Sequence, residues 1–154
     1  MPLKTTFVLL KPDAHDFSMR QGILDMILAR GFRIKRSLEI PQATRPQVEA
    51  HLKDLKAKNF AAYLRNVAFL LSGPVLALEL ELPDGEDPVL AMRELAGPTD
   101  PANTTKGNIR RLSSDTIAAA VAEERAVRNL IHAADSGVAV KDETHIWFGA
   151  SVTA

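Results

Sequence analysis

The chain has 154 residues, of which 46% are hydrophobic and 25% are charged, a composition typical of a globular protein with a buried core. Basic and acidic residues number 19 each, so no bulk charge is available to attract nucleic acid or an anionic membrane. Cysteine is absent, which excludes disulfides, thiolate metal sites and cysteine nucleophiles. We therefore expect one domain over residues 1–154.

The N-terminal segment MPLKTTFVLLKPDA differs from a secretory signal peptide, because its apolar run is short and is followed by Lys11 and Pro12. No segment is apolar over the length that a membrane-spanning helix requires. The sequence thus predicts a cytoplasmic protein with no membrane partner.

Hydrophobic periodicity predicts two strands and three helices in the first half of the chain. The predicted segments are strands at 5–11 and 32–40 and helices that begin near residues 18, 44 and 60. Two pairs have capping-box spacing, in which a hydroxyl and a Glu or Gln side chain bond reciprocally to the backbone of a helix start: Ser18 with Gln21, and Thr44 with Gln47.

The second half predicts two strands, three helices and one long loop. In the segment VLALELEL, residues 75–82, leucine alternates with other residues, which predicts a half-buried strand. Gly, Pro, Thr and Asn dominate residues 96–113 and predict an ordered loop, a feature that is often functional. The other predicted segments are a helix from Pro88 through Leu95, a helix at 115–124, a strand at 126–131, and a helix capped by Ser136 that ends near Phe148.

This order of elements favours an α+β sandwich of the ferredoxin-like type, with a four-stranded antiparallel sheet covered by helices on one face. A flavodoxin-like parallel sheet is the alternative, but it requires a more regular alternation of strands and helices.

Common nucleotide-binding and catalytic motifs are absent from the sequence: it contains no Walker A motif, no G-x-G-x-x-G and no nucleophile elbow. The histidines include no pair at helical metal-ligand spacing, so we expect no metal site formed by the protein. Several cations and polar groups flank the predicted turns, and each by itself is typical of a structural or solvated residue. They are Lys11, Arg93, Thr99, Arg110, Asn129 and His132.

Five segments taken together, in this order, resemble the nucleoside diphosphate kinase family: TFVLLKPDA, SGPVLALEL, MRELAGPTDPA, GNIR, and RNLIHAADS followed by ETHIWF. The resemblance extends from Thr5 to Phe148. It implies a ferredoxin-like core and transfer of a γ-phosphoryl group between nucleotides by a ping-pong route. His132 matches the histidine that is transiently phosphorylated in this family.

The resemblance also implies roles for other residues. Glu143 matches the carboxylate that orients the histidine, and Phe60 matches the aromatic residue that stacks on the nucleobase. The residues that match positions holding the phosphates and sugar are Lys11, Arg93, Thr99, Arg110 and Asn129. Cations suit this chemistry because phosphoryl transfer depends on positioning and charge stabilisation. The implied cofactor is Mg²⁺, bound mainly through the nucleotide phosphates. The implied partners are nucleoside di- and triphosphates and further copies of the chain in a homo-oligomer.

The sequence departs from the family pattern in several places. Ala133 and Ala134 replace the usual Gly-Ser after the histidine, and Leu52 replaces a tyrosine, so two polar partners of the nucleophile are lost. The segment DFSMRQG replaces a turn that influences subunit packing, and the segment before SGP is longer than in common members. A helical insertion lies near 112–126.

These departures leave open a catalytically weakened nucleotide-binding regulatory or scaffold protein of the same fold. A ferredoxin-like nucleic-acid binder is disfavoured by the zero net charge and by the single Trp and Tyr.

Overall fold

The structure, a computed structural model, describes residues 3–83 and 85–149, which form one sheet and seven α-helices. The strands are β1 (Leu3–Leu10), β2 (Arg33–Ile40), β3 (Val75–Pro83) and β4 (Ile131–Ala133). The helices are α1 (Phe17–Ala29), α2 (Arg45–His51), α3 (Lys53–Lys58), α4 (Phe60–Leu70), α5 (Pro88–Ala96), α6 (Ile117–Ala122) and α7 (Gly137–Phe148).

The strands lie in the order β2-β3-β1-β4, and every neighbouring pair is antiparallel. This topology confirms the ferredoxin-like α+β prediction and shows that the flavodoxin-like alternative is wrong. No helix in the described ranges has the length and apolar character needed to cross a membrane.

Helices cover both faces of the sheet, so the prediction of one covered face is wrong. Val8 and Leu10 of β1 pack in a core with α1 and α5, whereas Phe7 and Leu9 pack in a second core with α2, α4 and α7. The prediction of a half-buried β3 is wrong for the same reason. The sequence pattern predicts that Glu79 of β3 faces solvent, but this residue is buried, and its Oε1 accepts a hydrogen bond from Arg36 Nε of β2 at 2.6 Å.

The helix starts show side-chain caps of the expected kinds. Ser136 caps α7, and Thr44 forms the predicted capping box with Gln47 at α2. The first helix is capped by Asp16, whose carboxylate accepts a hydrogen bond from the Met19 amide, and not by Ser18. Ser18 therefore lies inside α1.

The segment between α5 and β4 contains the predicted loop and the inserted helix α6. Two 3₁₀ turns, Pro101–Asn103 and Ile109–Leu112, give the loop local order. The last strand begins at Ile131, later than the predicted 126–131, because Leu130 has a φ of +76° that is incompatible with a strand. His132 consequently lies within β4, opposite Leu9 of the neighbouring strand β1.

Candidate active site

A cavity of about 480 Å³ lies where the ends of β1, β4 and α7 meet the loop and the helices α3, α4 and α6. Six of the eight predicted site residues line it: Lys11, Thr99, Arg110, Asn129, His132 and Glu143. The structure does not place Phe60 or Arg93 in this lining.

The backbone before His132 makes a tight turn. Leu130 is the central residue of a γ-turn, in which the Ile131 amide donates to the Asn129 carbonyl at 2.9 Å. Such a left-handed conformation costs a non-glycine residue about 1–3 kcal/mol. Flanking hydrogen bonds hold it, since the Leu130 amide donates to the Asp13 carboxylate at 3.0 Å and the Leu130 carbonyl accepts from the Lys11 amide at 2.9 Å. The turn fixes Asn129 and His132 relative to Lys11.

The imidazole of His132 is held by a carboxylate and remains open to the cavity. Its Nε2 lies 2.8 Å from Oε1 of Glu143, and 29% of its side chain is exposed. Burial, reinforced by the charges of Lys11 and Arg110, lowers the pKa of His132 to about 3. The ring is therefore neutral near pH 7, and its Nδ1 makes no hydrogen bond to residues 3–83 or 85–149. Burial raises the pKa of Glu143 to about 7.

A second histidine, which the sequence reasoning did not select, contacts the first. The rings of His51 and His132 lie edge to face with centroids 4.4 Å apart. Trp147 Nε1 donates to His51 Nδ1 at 3.1 Å, and an indole can only donate, so neutral His51 has its proton on Nε2. Burial, more than the neighbouring His132, lowers the pKa of His51 well below its ordinary value. His51 thus supplies a polar group beside His132, although Leu52 does not.

His51, His132 and Glu143 place one donor atom each within 4.8 Å of one another, a set that could bind a zinc-like ion. Helical spacing could not reveal this cluster, because its members come from α2, β4 and α7. The positive charges of Lys11 and Arg110, which lower the pKa of His132, also disfavour a cation there. The cluster is better suited to positioning the His132 ring.

Two cations line the cavity beside His132. Lys11 Nζ donates to Asn129 Oδ1 at 2.8 Å, and Asn129 Nδ2 donates to the Thr99 carbonyl at 2.9 Å. Hydrogen bonds thus connect these three residues in series. Burial, followed by the charge of Arg110, lowers the pKa of Lys11 to about 8. Lys11 is therefore still largely protonated at pH 7.

Arg110 is held by two backbone carbonyls. Its Nη1 donates to the Gly97 carbonyl at 2.7 Å, and its Nη2 donates to the carbonyl of Ile131, the residue before His132, at 2.8 Å. Burial and the charge of Arg93 lower the pKa of Arg110 to about 10, so the guanidinium remains charged at pH 7. Arg93 is exposed on α5, and its charge also contributes to the low pKa of His132.

Phe60 lies outside the lining of the cavity. It is 55% exposed and stacks on Tyr63, with the ring centroids 5.7 Å apart. The cavity face of α4 is formed by Ala62, Arg65 and Asn66. Phe60 and Tyr63 are three residues apart in α4 and therefore lie on the same side of the helix, whereas Ala62 lies on another side.

Comparisons with known proteins identify the family. The family model described as nucleoside diphosphate kinase matches residues 4–152. The chain belongs to this family. A nucleoside diphosphate kinase of Exiguobacterium sibiricum is 33% identical, and the alignment covers 95% of each chain. Nucleoside diphosphate kinase 3 of Spinacia oleracea is 35% identical over 93% of this chain and 84% of the relative.

Solved structures of nucleoside diphosphate kinases share the fold. The kinase from Pyrobaculum aerophilum is 25% identical with a TM-score of 0.84, covering 97% of this chain and 98% of its own. The kinase from Borrelia burgdorferi has a TM-score of 0.86 and is 18% identical, and the match covers 97% of this chain and 89% of the other. At this identity the likeness shows only that the fold is shared. The family assignment makes the chain a phosphotransferase that acts between nucleotides.

Proposed function

We propose that the chain transfers the γ-phosphoryl group of a nucleoside triphosphate to a nucleoside diphosphate by a ping-pong mechanism through phosphohistidine at His132. The observation that best supports this proposal is the neutral His132 ring, bound through Nε2 to Glu143 and open to a cavity lined by Lys11 and Arg110. A neutral imidazole is a competent nucleophile near pH 7.

In the first half-reaction, the Nδ1 lone pair of His132 forms a bond to the γ-phosphorus. The bond between this phosphorus and the β–γ bridging oxygen breaks, and the nucleoside diphosphate leaves with the electron pair. The ring becomes cationic, and the Glu143 carboxylate stabilises it. In the second half-reaction, a terminal β-phosphate oxygen of another nucleoside diphosphate attacks the same phosphorus and frees the imidazole.

The remaining predicted residues stabilise and position the phosphates. Lys11 and Arg110 supply charge beside the reacting group, and Arg93 adds positive charge from outside the lining. Thr99 and Asn129 position the nucleotide through the chain of hydrogen bonds that includes Lys11.

Members of this family use a divalent cation with the nucleotide, and we propose Mg²⁺ held mainly by phosphate oxygens and water. The cavity fits such an ion because the Asp54 and Asp135 carboxylates line it and can contact water ligands. When bound, the ion neutralises phosphate charge.

The cytoplasmic location of the protein and its assembly into a homo-oligomer remain predictions from the sequence.

The direct test is an intact-mass measurement after mixing the protein with ATP and Mg²⁺, with His132→Ala as the matched variant. We expect a gain of one acid-labile phosphoryl group that GDP removes, and no gain in the variant. The proposal is wrong if His132→Ala is phosphorylated equally.

A catalytically weakened regulatory or scaffold protein is the second candidate. It is favoured by Ala134, which is fully buried and offers no side-chain hydroxyl to support the site. Demonstrable ATP binding without any phosphoryl gain would support this candidate and contradict the kinase mechanism.

A further inference from the structure

A second cavity, of about 1010 Å³, lies between α7, the start of α3 and the face of the sheet formed by β1, β2 and β3. It shares no lining residue with the cavity that contains His132. Helix α7 contributes to both, with Glu143 in the first lining and Lys141 and Thr144, on other sides of the helix, in the second. The proposed phosphoryl transfer uses no residue of the second cavity.

A β-bulge places two consecutive cations of β2 on the wall of this second cavity. Ile34 lies opposite Leu80 and Arg36 lies opposite Glu79, so Lys35 is the extra residue in β2. Neighbouring side chains of a regular strand point to opposite faces, but a bulge redirects them. Lys35 Nζ lies 3.9 Å from Oε2 of Glu79, and Arg36 Nε lies 2.6 Å from Oε1. One carboxylate therefore faces two cations.

Helices α3 and α7 add further positive charge to the lining. Lys53 of α3 pairs with Asp142 at 3.5 Å, whereas Lys141 makes no hydrogen bond or ion pair with any residue at 3–83 or 85–149. With histidine counted as neutral, the lining holds four cations and two carboxylates, a surplus of two positive charges. The chain as a whole carries no net charge, so this surplus is a local feature.

Two hydrogen-bonding groups in the wall are unsatisfied. The guanidinium of Arg36 uses Nε to bind Glu79, and its buried Nη1 has no acceptor within the described part of the chain. The hydroxyl of Thr144, a residue that is 7% exposed, also has no partner there. Buried polar groups are normally paired. A ligand rich in acceptor oxygens could supply the missing partners when these side chains rotate toward it.

We propose that this cavity binds a small phosphorylated organic molecule through its phosphate group. A phosphate monoester carries about −1.5 to −2 charges near pH 7, which matches the charge surplus, and it offers three acceptor oxygens. The planar guanidinium of Arg36 suits phosphate oxygens, and Lys141 supplies a second charge from α7. The volume is that of a site for a small organic molecule, which favours an organic phosphate over the free ion. This site goes beyond the proposed function and does not depend on it.

The test titrates the isotope-labelled full chain with glycerol 3-phosphate and, separately, with inorganic phosphate at matched ionic strength, and follows the backbone amide signals by NMR. We expect the amide signals of Lys35, Lys141 and Thr144 to shift and saturate, at a lower concentration for glycerol 3-phosphate. Arg36→Gln should weaken this binding by about tenfold, and Lys141→Ala by about threefold. Lys106→Ala is the matched control, since Lys106 is exposed in the loop outside both linings and its loss should leave the affinity unchanged.

Arg36→Gln removes a partner of the buried Glu79 and can unfold the chain, so the exposed Lys141 provides the decisive variant. An unchanged affinity in Lys141→Ala, or shifts confined to amides around His132 and Lys11, would overturn the inference. Equal affinity for the two ligands would identify the free ion as the ligand and overturn the assignment to an organic phosphate. The titration involves no nucleotide and no phosphoryl transfer, so failure of the proposed kinase mechanism would leave its result intact.

Discussion

The protonation state of Glu143 determines which nitrogen of His132 bears the ring proton. An ionised Glu143 accepts a hydrogen bond from Nε2–H at 2.8 Å and leaves the Nδ1 lone pair free for the proposed attack on phosphorus. A protonated Glu143 donates to Nε2, and the ring proton then occupies Nδ1. Because burial raises the pKa of this carboxyl from 4.5 to about 7, the reactive arrangement forms only as the pH rises through that value.

We therefore expect kcat/KM to increase with pH through a midpoint near 7, and Glu143→Gln to lose this acidic limb because an amide does not titrate. The plateau rate should fall about tenfold or more, since the amide replaces a charged hydrogen-bond partner. Lys11, with a pKa near 8, affects kcat/KM at alkaline pH in the wild type and in Glu143→Gln alike. Glu49→Gln, at an exposed position on α2, is the control. If the increase of kcat/KM near pH 7 persists in Glu143→Gln, the titrating group is not Glu143.

Sequence reasoning selected His132 as a polar group beside a predicted turn, but the roles of His132 and Glu143 came only from the family resemblance, and His51 was missed. The hydrogen bond that gives His51 its tautomer comes from Trp147, 96 residues away in the chain. No local pattern encodes a contact of that separation. Phe60 lies outside the lining of the cavity, and its predicted stacking on a nucleobase stays a prediction.

Among the elements, α7 brings Glu143 to His132, and its start could be predicted from the sequence. Ser136 caps the helix by accepting a hydrogen bond from the Ala139 amide at 3.1 Å. Such a cap is local, so residue type and spacing suffice to predict it. The start of β4 could not be predicted, because the left-handed Leu130 is held by hydrogen bonds to Asp13 and Lys11, which are far away in the chain.

Ser136→Ala should lower the free energy of unfolding by about 1 kcal/mol, because the first turn of α7 loses its side-chain acceptor. The expected decrease in Tm is about 2–4 °C, measured by thermal unfolding with circular dichroism. Ser136→Asn keeps an acceptor at the same position and should retain most of the stability. If Ser136→Ala unfolds at the wild-type temperature, the cap contributes nothing.

At the scale of the whole molecule, the sheet ends in an exposed strand. β2 pairs only with β3 within the described residues, so its other edge presents unpaired backbone groups. The apolar side chains of Ile34 and Leu38 on this strand are 39% and 40% exposed. The sequence pattern predicts Ile34 and Leu38 on one side of a strand, and this prediction is wrong. A bulge between Ile34 and Arg36 places Ile34 opposite Leu80 and Leu38 opposite Ala77, which face different cores on the two sides of the sheet. The pattern also could not show that β2 is the edge, since strand order depends on pairings between distant segments.

An exposed edge with apolar residues favours pairing with a second copy, because the same antiparallel contact is repeated across a twofold axis. We expect light scattering of the wild type to give a multiple of the monomer mass of 16.8 kDa. Leu38→Lys should shift the distribution toward monomer, because pairing would bury the added charge. Leu90→Lys on α5, where the leucine is 56% exposed, is the control and should keep the wild-type mass. A wild type that is monomeric, or equal masses for both variants and the wild type, would show that the β2 edge does not mediate assembly.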